Sequence, residues 1–197
     1  MLIASVRDDL CLDFANTQYW RGSAPAAETL HGFDDLAGFL ERGVGAAALA
    51  PMRAWAREHP KKADALFADA LALREGIYRT FSALAAGKPA DNADFAALNA
   101  ALAEAPARTA LARADSGYGW RIDTPRPSAA RLLAPVLWSA ADLLVSSGAR
   151  RIRQCANEKC LWLFVDASKG GTRRWCQMSS CGNRAKARRH YSKMKEA

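Results

Sequence analysis

The sequence has no uninterrupted run of about 18 or more apolar residues, which excludes a transmembrane helix made from one continuous stretch. Its first residues carry Asp8 and Asp9 and no long apolar segment, so they do not resemble a secretory signal peptide. We therefore expect a cytoplasmic protein with no membrane partner, in which thiols stay reduced.

The motifs of common catalytic and nucleotide-binding sites are also missing. The chain contains no G-x-G-x-x-G, Walker A, H-E-x-x-H or G-x-S-x-G sequence. Its three histidines, His31, His59 and His190, are scattered, and none is paired with a candidate nucleophile. We therefore expect no catalytic residues and no enzyme, and we keep an enzyme in the N-terminal part of the chain as an alternative.

Alanine dominates the apolar half of the composition. The 197-residue chain is 50% hydrophobic and has 43 alanines, so a real core can form and wholesale disorder is excluded. Alanine favours helix, which predicts a mostly helical protein with close interhelical packing. Periodicity predicts helices over 33–42, 49–58, 63–86, 91–105 and 128–146. It also predicts a short strand over 10–15 and a hairpin around Asp115-Ser116-Gly117.

Acidic residues are scarce in the last quarter of the chain. Residues 150–197 hold 13 lysines and arginines against three acids, whereas the whole chain has a net charge of +8. A basic block of this kind predicts attraction to a polyanion. Ser146-Ser147-Gly148 ends the last predicted helix, so we expect one domain over 1–149 and a second over 150–197.

Four of the five cysteines form two matched pairs. Cys155 and Cys160 make one C-x4-C pair, Cys176 and Cys181 the other, with 15 residues between them. Four thiolates suit tetrahedral Zn²⁺, and a unit of roughly 45 residues needs such a staple because its own core is small. The alternatives are disulfides or unrelated buried thiols. Cys11 lies far from the pairs and is expected to be a small buried hydrophobe.

The elements around these cysteines predict a treble-clef-like zinc finger. Residues 161–165 are an expected strand, and 172–175 are its expected return strand. Ser179 or Ser180 is a candidate cap for a helix that runs to about residue 195 and carries a ligand in its first turn. The predicted fold class is thus α+β: a mainly helical N-terminal domain with a small antiparallel sheet, followed by this finger.

The C-terminal segment resembles a known family. Residues 176–186 have the sequence CQMSSCGNRAK, preceded by Arg173-Arg174-Trp175, and they look like the CGNR zinc finger of bacterial regulators. In that family the finger follows a larger domain called ABATE, whose opening and last elements resemble residues 10–17 and 140–144. The resemblance implies one zinc ion and a stress-induced regulator of transcription.

The last predicted helix carries an apolar stripe and several cations. Ala187, Tyr191 and Met194 are expected to pack on the hairpin, which leaves the basic side chains outward, where they can reach phosphates or guanine edges. The candidate nucleic-acid-binding residues are Arg173, Arg174, Arg184, Lys186, Arg188, Arg189 and Lys193.

Several residues of the finger have two interpretations. Asn183 and Arg184 either contact DNA, or Asn183 bonds the cysteine loops and Arg184 pairs with Asp166. Glycine at position 182 destabilises the first turn of the predicted helix relative to alanine, so we expect a reason for its presence. The expected reason is a close approach to its backbone, either by the loop of a cysteine pair (the knuckle) or by a phosphate. Trp162 and Trp175 are expected in the core of the finger.

Asp13, Asn16 and Thr17 follow one another closely among apolar neighbours. They either line a ligand pocket or cap a turn and a nearby helix. We therefore expect a DNA-binding regulator whose N-terminal domain senses a small-molecule effector or forms a homodimer, with duplex DNA as the partner. The alternatives are a zinc-stabilised RNA-binding protein and an N-terminal enzyme with a purely structural finger.

Overall fold

The computed structural model describes residues 2–3, 7–114, 117–122, 127–146 and 151–195. The helices are α1 (Leu10–Ala15), α2 (Phe33–Val44), α3 (Ala46–Glu58), α4 (Pro60–Ala85), α5 (Asn92–Glu104), α6 (Ala129–Leu132), α7 (Ala134–Val145) and α8 (Asn183–Lys195). The strands are β1 (Leu2–Ile3), β2 (Gln18–Tyr19), β3 (Ala27–Glu28), β4 (Leu111–Ala114), β5 (Gly117–Arg121), β6 (Ile152–Gln154) and β7 (Leu163–Val165). A π-helical turn, Met178–Gly182, precedes α8. The predicted α+β fold with a C-terminal finger is confirmed.

Helix α4 is the central element of the core. It begins at Pro60, whose missing N–H costs nothing in a first helical turn. Its buried residues include Leu66, Ala70, Ile77 and Phe81 at helical spacing, and it packs against α1, α2, α3, α5 and α6. The long amphipathic pattern predicted for this region is therefore confirmed.

The strand predicted over residues 10–15 is wrong, because the structure has helix α1 there. Cys11, Leu12, Phe14 and Ala15 are all buried, and Asp13 alone forms the polar side of the helix among its middle residues. Apolar residues therefore occur at both alternating sets of positions, and the apparent alternation carried no information. Helical spacing instead directs Cys11, Phe14 and Ala15 toward one side. Burial raises the pKa of Cys11 to about 12, and this thiol is the buried hydrophobe that the sequence predicts.

The remaining N-terminal elements follow the sequence with small changes. Asp91 caps α5 by accepting hydrogen bonds from the backbone N–H groups of Ala93 and Asp94. The single helix expected over 128–146 is split into α6 and α7 around Leu133, because Pro135 favours a new first turn there.

The predicted hairpin is also present, as β4 and β5, with β1 added on the far side of β5 in an antiparallel sheet. Its expected turn residues Asp115 and Ser116 lie outside the described residues, as does the expected domain boundary at 147–149.

In the finger, strand β7 pairs with a different strand from the expected one. Strand β7 pairs antiparallel with β6, with Ile152 opposite Val165, whereas residues 172–175 form no strand. The first cysteine pair lies in the connection between β6 and β7, so the hairpin closes around the knuckle. Residues 172–175 instead run beside the knuckle, where the Ala156 N–H donates to the Arg174 carbonyl at 2.9 Å.

The finger shares a hydrophobic core with the N-terminal part. Ile152 and Leu163 are 1% exposed and belong to the same buried cluster as the residues of α1 and α4. The Asn16 side chain donates to the Leu163 carbonyl at 2.8 Å and accepts from the Leu163 N–H at 3.0 Å. The finger is thus docked on the helices through both apolar and backbone contacts.

A network of charged residues fastens the segment before α2 to the central helix. The Arg74 side chain is 3% exposed and donates two hydrogen bonds to Glu28, at 2.8 and 2.6 Å, and one to Glu75. Arg21 binds Glu75 through both carboxylate oxygens. Burial alone would raise the pKa values of Glu28 and Glu75, but hydrogen bonds and charges from the arginines outweigh it and lower both.

We expect the protein to lose stability in acid, below about pH 4.3, the ordinary pKa of glutamate in an unfolded chain. Because the folded pKa values of Glu28 and Glu75 are lowered, the unfolded chain binds more protons in this range, and acid favours it. The stabilisation is complete above that pH and is lost as the pH falls through the folded values. Urea denaturation between about pH 7 and pH 3 measures the loss.

The Glu75→Gln variant should flatten this pH dependence. Glu58→Gln, which removes an exposed carboxylate at the end of α3, is the matched control and should keep it. A free energy of unfolding that stays constant down to about pH 3 would contradict the prediction.

Candidate metal centre and nucleic-acid interface

Four cysteines meet between the β6–β7 connection and the π-helical turn. All four are buried, and the Sγ atoms of Cys155, Cys160, Cys176 and Cys181 lie within 4.8 Å of one another. The Sγ atom of Cys176 is 3.7 Å from that of Cys160 and 3.8 Å from that of Cys181. A tetrahedron of zinc–sulfur bonds of about 2.3 Å has edges of about 3.8 Å, whereas a disulfide bond is about 2.05 Å long. The arrangement fits zinc and excludes the disulfide alternative.

Neighbouring groups hold these sulfur atoms in place. The buried Asn157 side chain donates to the Cys181 sulfur at 3.4 Å, and the backbone carbonyl of Asn157 accepts from the Cys160 N–H at 2.7 Å. Hydrogen bonds within the cluster lower the pKa of Cys155 and raise the pKa values of Cys160 and Cys176. Thiolate is the form of cysteine that binds zinc, so binding of the ion would release the remaining thiol protons.

Aromatic side chains cover the cysteine cluster. Phe164 is buried in it, and Trp162 and Trp175 pack against it, as the sequence predicts. Trp20 packs there too, although it comes from the N-terminal part of the chain. Sequence reasoning missed Trp20, because a single tryptophan after a two-residue strand gives no local signal of a contact 140 or so residues away.

Arg173 and Asp166 fix the loop between the cysteine pairs. The buried Asp166 carboxylate accepts from the backbone N–H groups of Ser168 and Arg173. A hydrogen bond from the Ser168 side chain, together with these backbone bonds, lowers the pKa of Asp166. The Arg173 guanidinium donates to the carbonyls of Trp175 and Cys176 and lies 4.4 Å from the centre of the Phe164 ring. Arg173 therefore has a scaffold role within the finger.

The expected pair of Arg184 with Asp166 is wrong, since both Asp166 oxygens are occupied by backbone donors. The Arg184 guanidinium lies instead 4.5 Å from the centre of the Trp20 ring. The Asn183 side chain donates to the Ser179 carbonyl at 3.3 Å, which fits the interpretation that it bonds a cysteine loop.

The backbone at Gly182 is closely approached by Met178 and Trp175, which lie beside the second cysteine pair. A close approach by the protein itself is one of the two explanations that the sequence suggests for this glycine. A Cβ atom at this position would lie 2.6 Å from the Met178 sulfur and 3.4 Å from the Trp175 ring. The expected serine cap is absent from the described contacts of the turn, which begins after Gln177 without a side-chain cap.

Helix α8 is exposed, and the expected packing of its apolar stripe on the hairpin is wrong. Tyr191 and Met194 are 66% and 65% exposed, and Ala187 is exposed as well. The helix continues directly from the π-helical turn, which is its main packing partner among the described elements. The stripe therefore faces solvent along with the cations.

The helix carries only neutral and basic residues. Lys186, Arg188 and Arg189 are exposed, and within the described residues none of them has an ion-pair partner. Arg174, also exposed, lies 5.4 Å from the centre of the Trp175 ring. The Lys193 side chain is outside the described part of the chain. The candidate cations whose side chains are described thus form two groups. One group lies on α8 and has no ion-pair partner among the described residues, and the other contacts aromatic or backbone groups of the finger and Trp20.

Asp13, Asn16 and Thr17 line one cavity of about 720 Å³ between the N-terminal helices and Trp162 of the finger. Burial raises the pKa of Asp13, although Arg7 lies 3.0 Å away and opposes this. The Thr17 hydroxyl donates to the Phe14 carbonyl at the end of α1. Asn16 and Thr17 therefore make structural bonds and line a cavity at the same time.

A site of four thiols in a basic finger, docked on a helical unit, is the arrangement of a zinc-finger protein. A family model for ABATE, described as "Putative stress-induced transcription regulator", matches residues 8–147, and a CGNR zinc finger model matches residues 151–194. The chain belongs to the ABATE family and ends in a CGNR zinc finger that binds Zn²⁺. Neither family is one of enzymes.

No curated protein matches the chain. In the described part of the structure, the helices are all too short or too polar to cross a membrane.

Proposed function

We propose that this protein is a cytoplasmic, zinc-dependent regulator of transcription that binds duplex DNA through α8. The observation that carries the proposal is the exposure of a helix that has basic residues and no acidic ones. Arg184 and Arg188, four residues apart, repel each other, and a helix of 13 residues is marginal in water on its own. A polyanion relieves the repulsion and supplies the missing partner.

The dimensions of α8 suit the major groove of DNA. Its 13 residues span about 20 Å in length. The major groove of DNA is about 12 Å wide and admits an α-helix. Among the described residues, Arg188 and Arg189 have no ion-pair partner, so they are available for phosphates or for base edges. Arg184, Lys186, Arg174 and Lys193 extend the same basic segment.

A role for the N-terminal part is supported by the cavity at Asp13, Asn16 and Thr17. Its wall includes Trp162 of the finger, so a small-molecule effector bound there would touch both parts of the chain. A single small module buries only about 600–1,000 Å² on DNA, which favours a homodimer for tight binding. We therefore propose that this part senses an effector or forms the homodimer.

Binding of the full-length, zinc-loaded protein to duplex DNA should weaken steeply as salt is added. Each phosphate neutralised by lysine or arginine releases counterions, so contact with roughly four or five phosphates gives a log–log slope near about −4. Replacing Arg188 and Arg189 together with alanine should weaken binding and flatten the slope by up to about two. Fluorescence anisotropy of a labelled duplex over a salt series measures both.

The double variant Arg57→Ala and Arg113→Ala is the matched control, because it removes two exposed cations outside the finger. It should keep the slope, and all variants should keep one zinc per chain. Tighter binding to RNA than to DNA at fixed salt would favour the RNA-binding alternative. An absence of salt-dependent DNA binding at low ionic strength would refute the regulator proposal.

A further inference from the structure

A short segment of the N-terminal part is docked on the first cysteine knuckle. It comprises Tyr19 to Gly22 and begins with the last residue of β2. The Tyr19 and Trp162 ring centres are 4.8 Å apart, and the Gly22 N–H donates to the Lys159 carbonyl at 3.3 Å. The finger therefore contacts this segment as well as the core formed by α1 and α4.

Gly22 shows how close this approach is. A Cβ atom at position 22 would lie 1.7 Å from the backbone oxygen of Glu158. Backbone cannot rotate away as a side chain does, so any larger residue would push the knuckle off the segment. The position requires glycine because of this contact.

Trp20 lies between Tyr19 and Gly22 in this segment. Its φ of +52° is in the left-handed region, which bulky residues rarely adopt, so the contacts around it must hold it there. The Trp20 ring packs on the cysteine cluster and lies 4.5 Å from the Arg184 guanidinium. In the described structure Arg184 has no carboxylate partner, and this ring is the group that orders it.

We propose that Trp20 is a positioning residue for the DNA-binding helix: it holds Arg184, in the first turn of α8, and so sets the direction in which the basic helix leaves the finger. This inference rests on the DNA-binding function proposed above. It makes the basic surface a property of both parts of the chain, since the N-terminal part supplies the ring that the finger lacks. A cation on the face of a tryptophan ring is the most favourable pairing of this kind.

The test is a mutant cycle in the full-length, zinc-loaded protein. Trp20→Ala should weaken binding to a labelled DNA duplex about three- to tenfold, and Trp20→Phe, which keeps an aromatic face, should restore most of it. Because Trp20 acts through Arg184, the double variant Trp20→Ala and Arg184→Ala should bind no more weakly than Arg184→Ala alone. Trp55→Ala, at a tryptophan that stacks on His59 in α3, is the matched control and should leave affinity unchanged.

A second measurement needs no DNA. Hydrogen exchange in the first two turns of α8 should be faster in Trp20→Ala, while zinc content stays at one per chain. Arg184→Gln keeps Trp20 in place and should produce the same increase, so the test survives if Trp20→Ala folds poorly. If wild-type protein does not bind DNA, the proposed function fails, and the exchange result still decides whether Trp20 orders α8.

Unchanged exchange in α8 for both Trp20→Ala and Arg184→Gln would overturn the inference. Losses of affinity that add in the double variant would do so too, because additivity means that the two residues act separately.

Discussion

Replacing Cys176 with serine should release the zinc ion and unfold the finger. Structural zinc contributes on the order of 10 kcal/mol in finger peptides, and three remaining thiolates cannot complete the tetrahedron. Apart from the aromatic residues around the cysteines, the finger has little apolar core of its own. Native mass spectrometry should find one zinc in the wild-type chain and none in the variant, and DNA binding should disappear with the metal.

Cys11→Ala is the matched control for this prediction. Cys11 is buried against α7, where its N–H donates to the Ser139 hydroxyl, and it is remote from the four-thiol cluster. The control should therefore keep one zinc per chain. A metal-free Cys176→Ser protein whose C-terminal residues remain protected from hydrogen exchange would show that zinc is not what folds the finger.

Replacing Arg74 with alanine should cost about 3–5 kcal/mol of unfolding free energy. Its guanidinium is almost fully buried, and it neutralises Glu28 and Glu75 together. Loss of the cation leaves two partly buried carboxylates without their shared partner, and it frees Glu28 of β3 from α4. Urea denaturation at neutral pH, with the midpoint and slope fitted together, measures the change.

Arg79→Ala is a close comparison on the same helix. The Arg79 side chain is 58% exposed and pairs with the single carboxylate of Asp94 at 2.6 Å, so its loss should cost less than the loss of Arg74. Asp94 itself is only 11% exposed, so the cost should still exceed that of a fully exposed ion pair. The comparison separates the loss of a buried cation from the loss of an exposed one. Equal losses at both positions would contradict the assignment of Arg74 as the anchor of the network.

Much of the metal centre was predictable, because its signal is local. The spacing of Cys155, Cys160, Cys176 and Cys181 needs only sequence and the coordination chemistry of zinc. The long helices were predictable for a similar reason, since α4 repeats its buried residues over many turns. Short elements gave weaker signals, and α1 was misassigned because six residues with almost no polar face fit a strand and a helix equally well.

The errors in the finger came from contacts between distant parts of the chain. The partner of β7 was misassigned because the loop that carries Cys155 and Cys160, rather than the segment between residues 165 and 172, closes the hairpin. The stripe of α8 has helical spacing, but periodicity does not reveal whether any element lies opposite it. One interpretation paired Arg184 with Asp166, whereas its observed neighbour, Trp20, is provided by a segment that precedes it by more than 160 residues.

The docking of the finger also has a consequence for the DNA sites that the protein would select. A finger on a loose tether lets two copies bind half-sites at many separations. Here Ile152, Leu163 and Gly22 fix the finger to the N-terminal part. In a homodimer, the N-terminal parts would therefore set a fixed distance between the two α8 helices. Inserting or deleting about five base pairs between half-sites, half a turn of DNA, would then abolish simultaneous binding rather than merely weaken it.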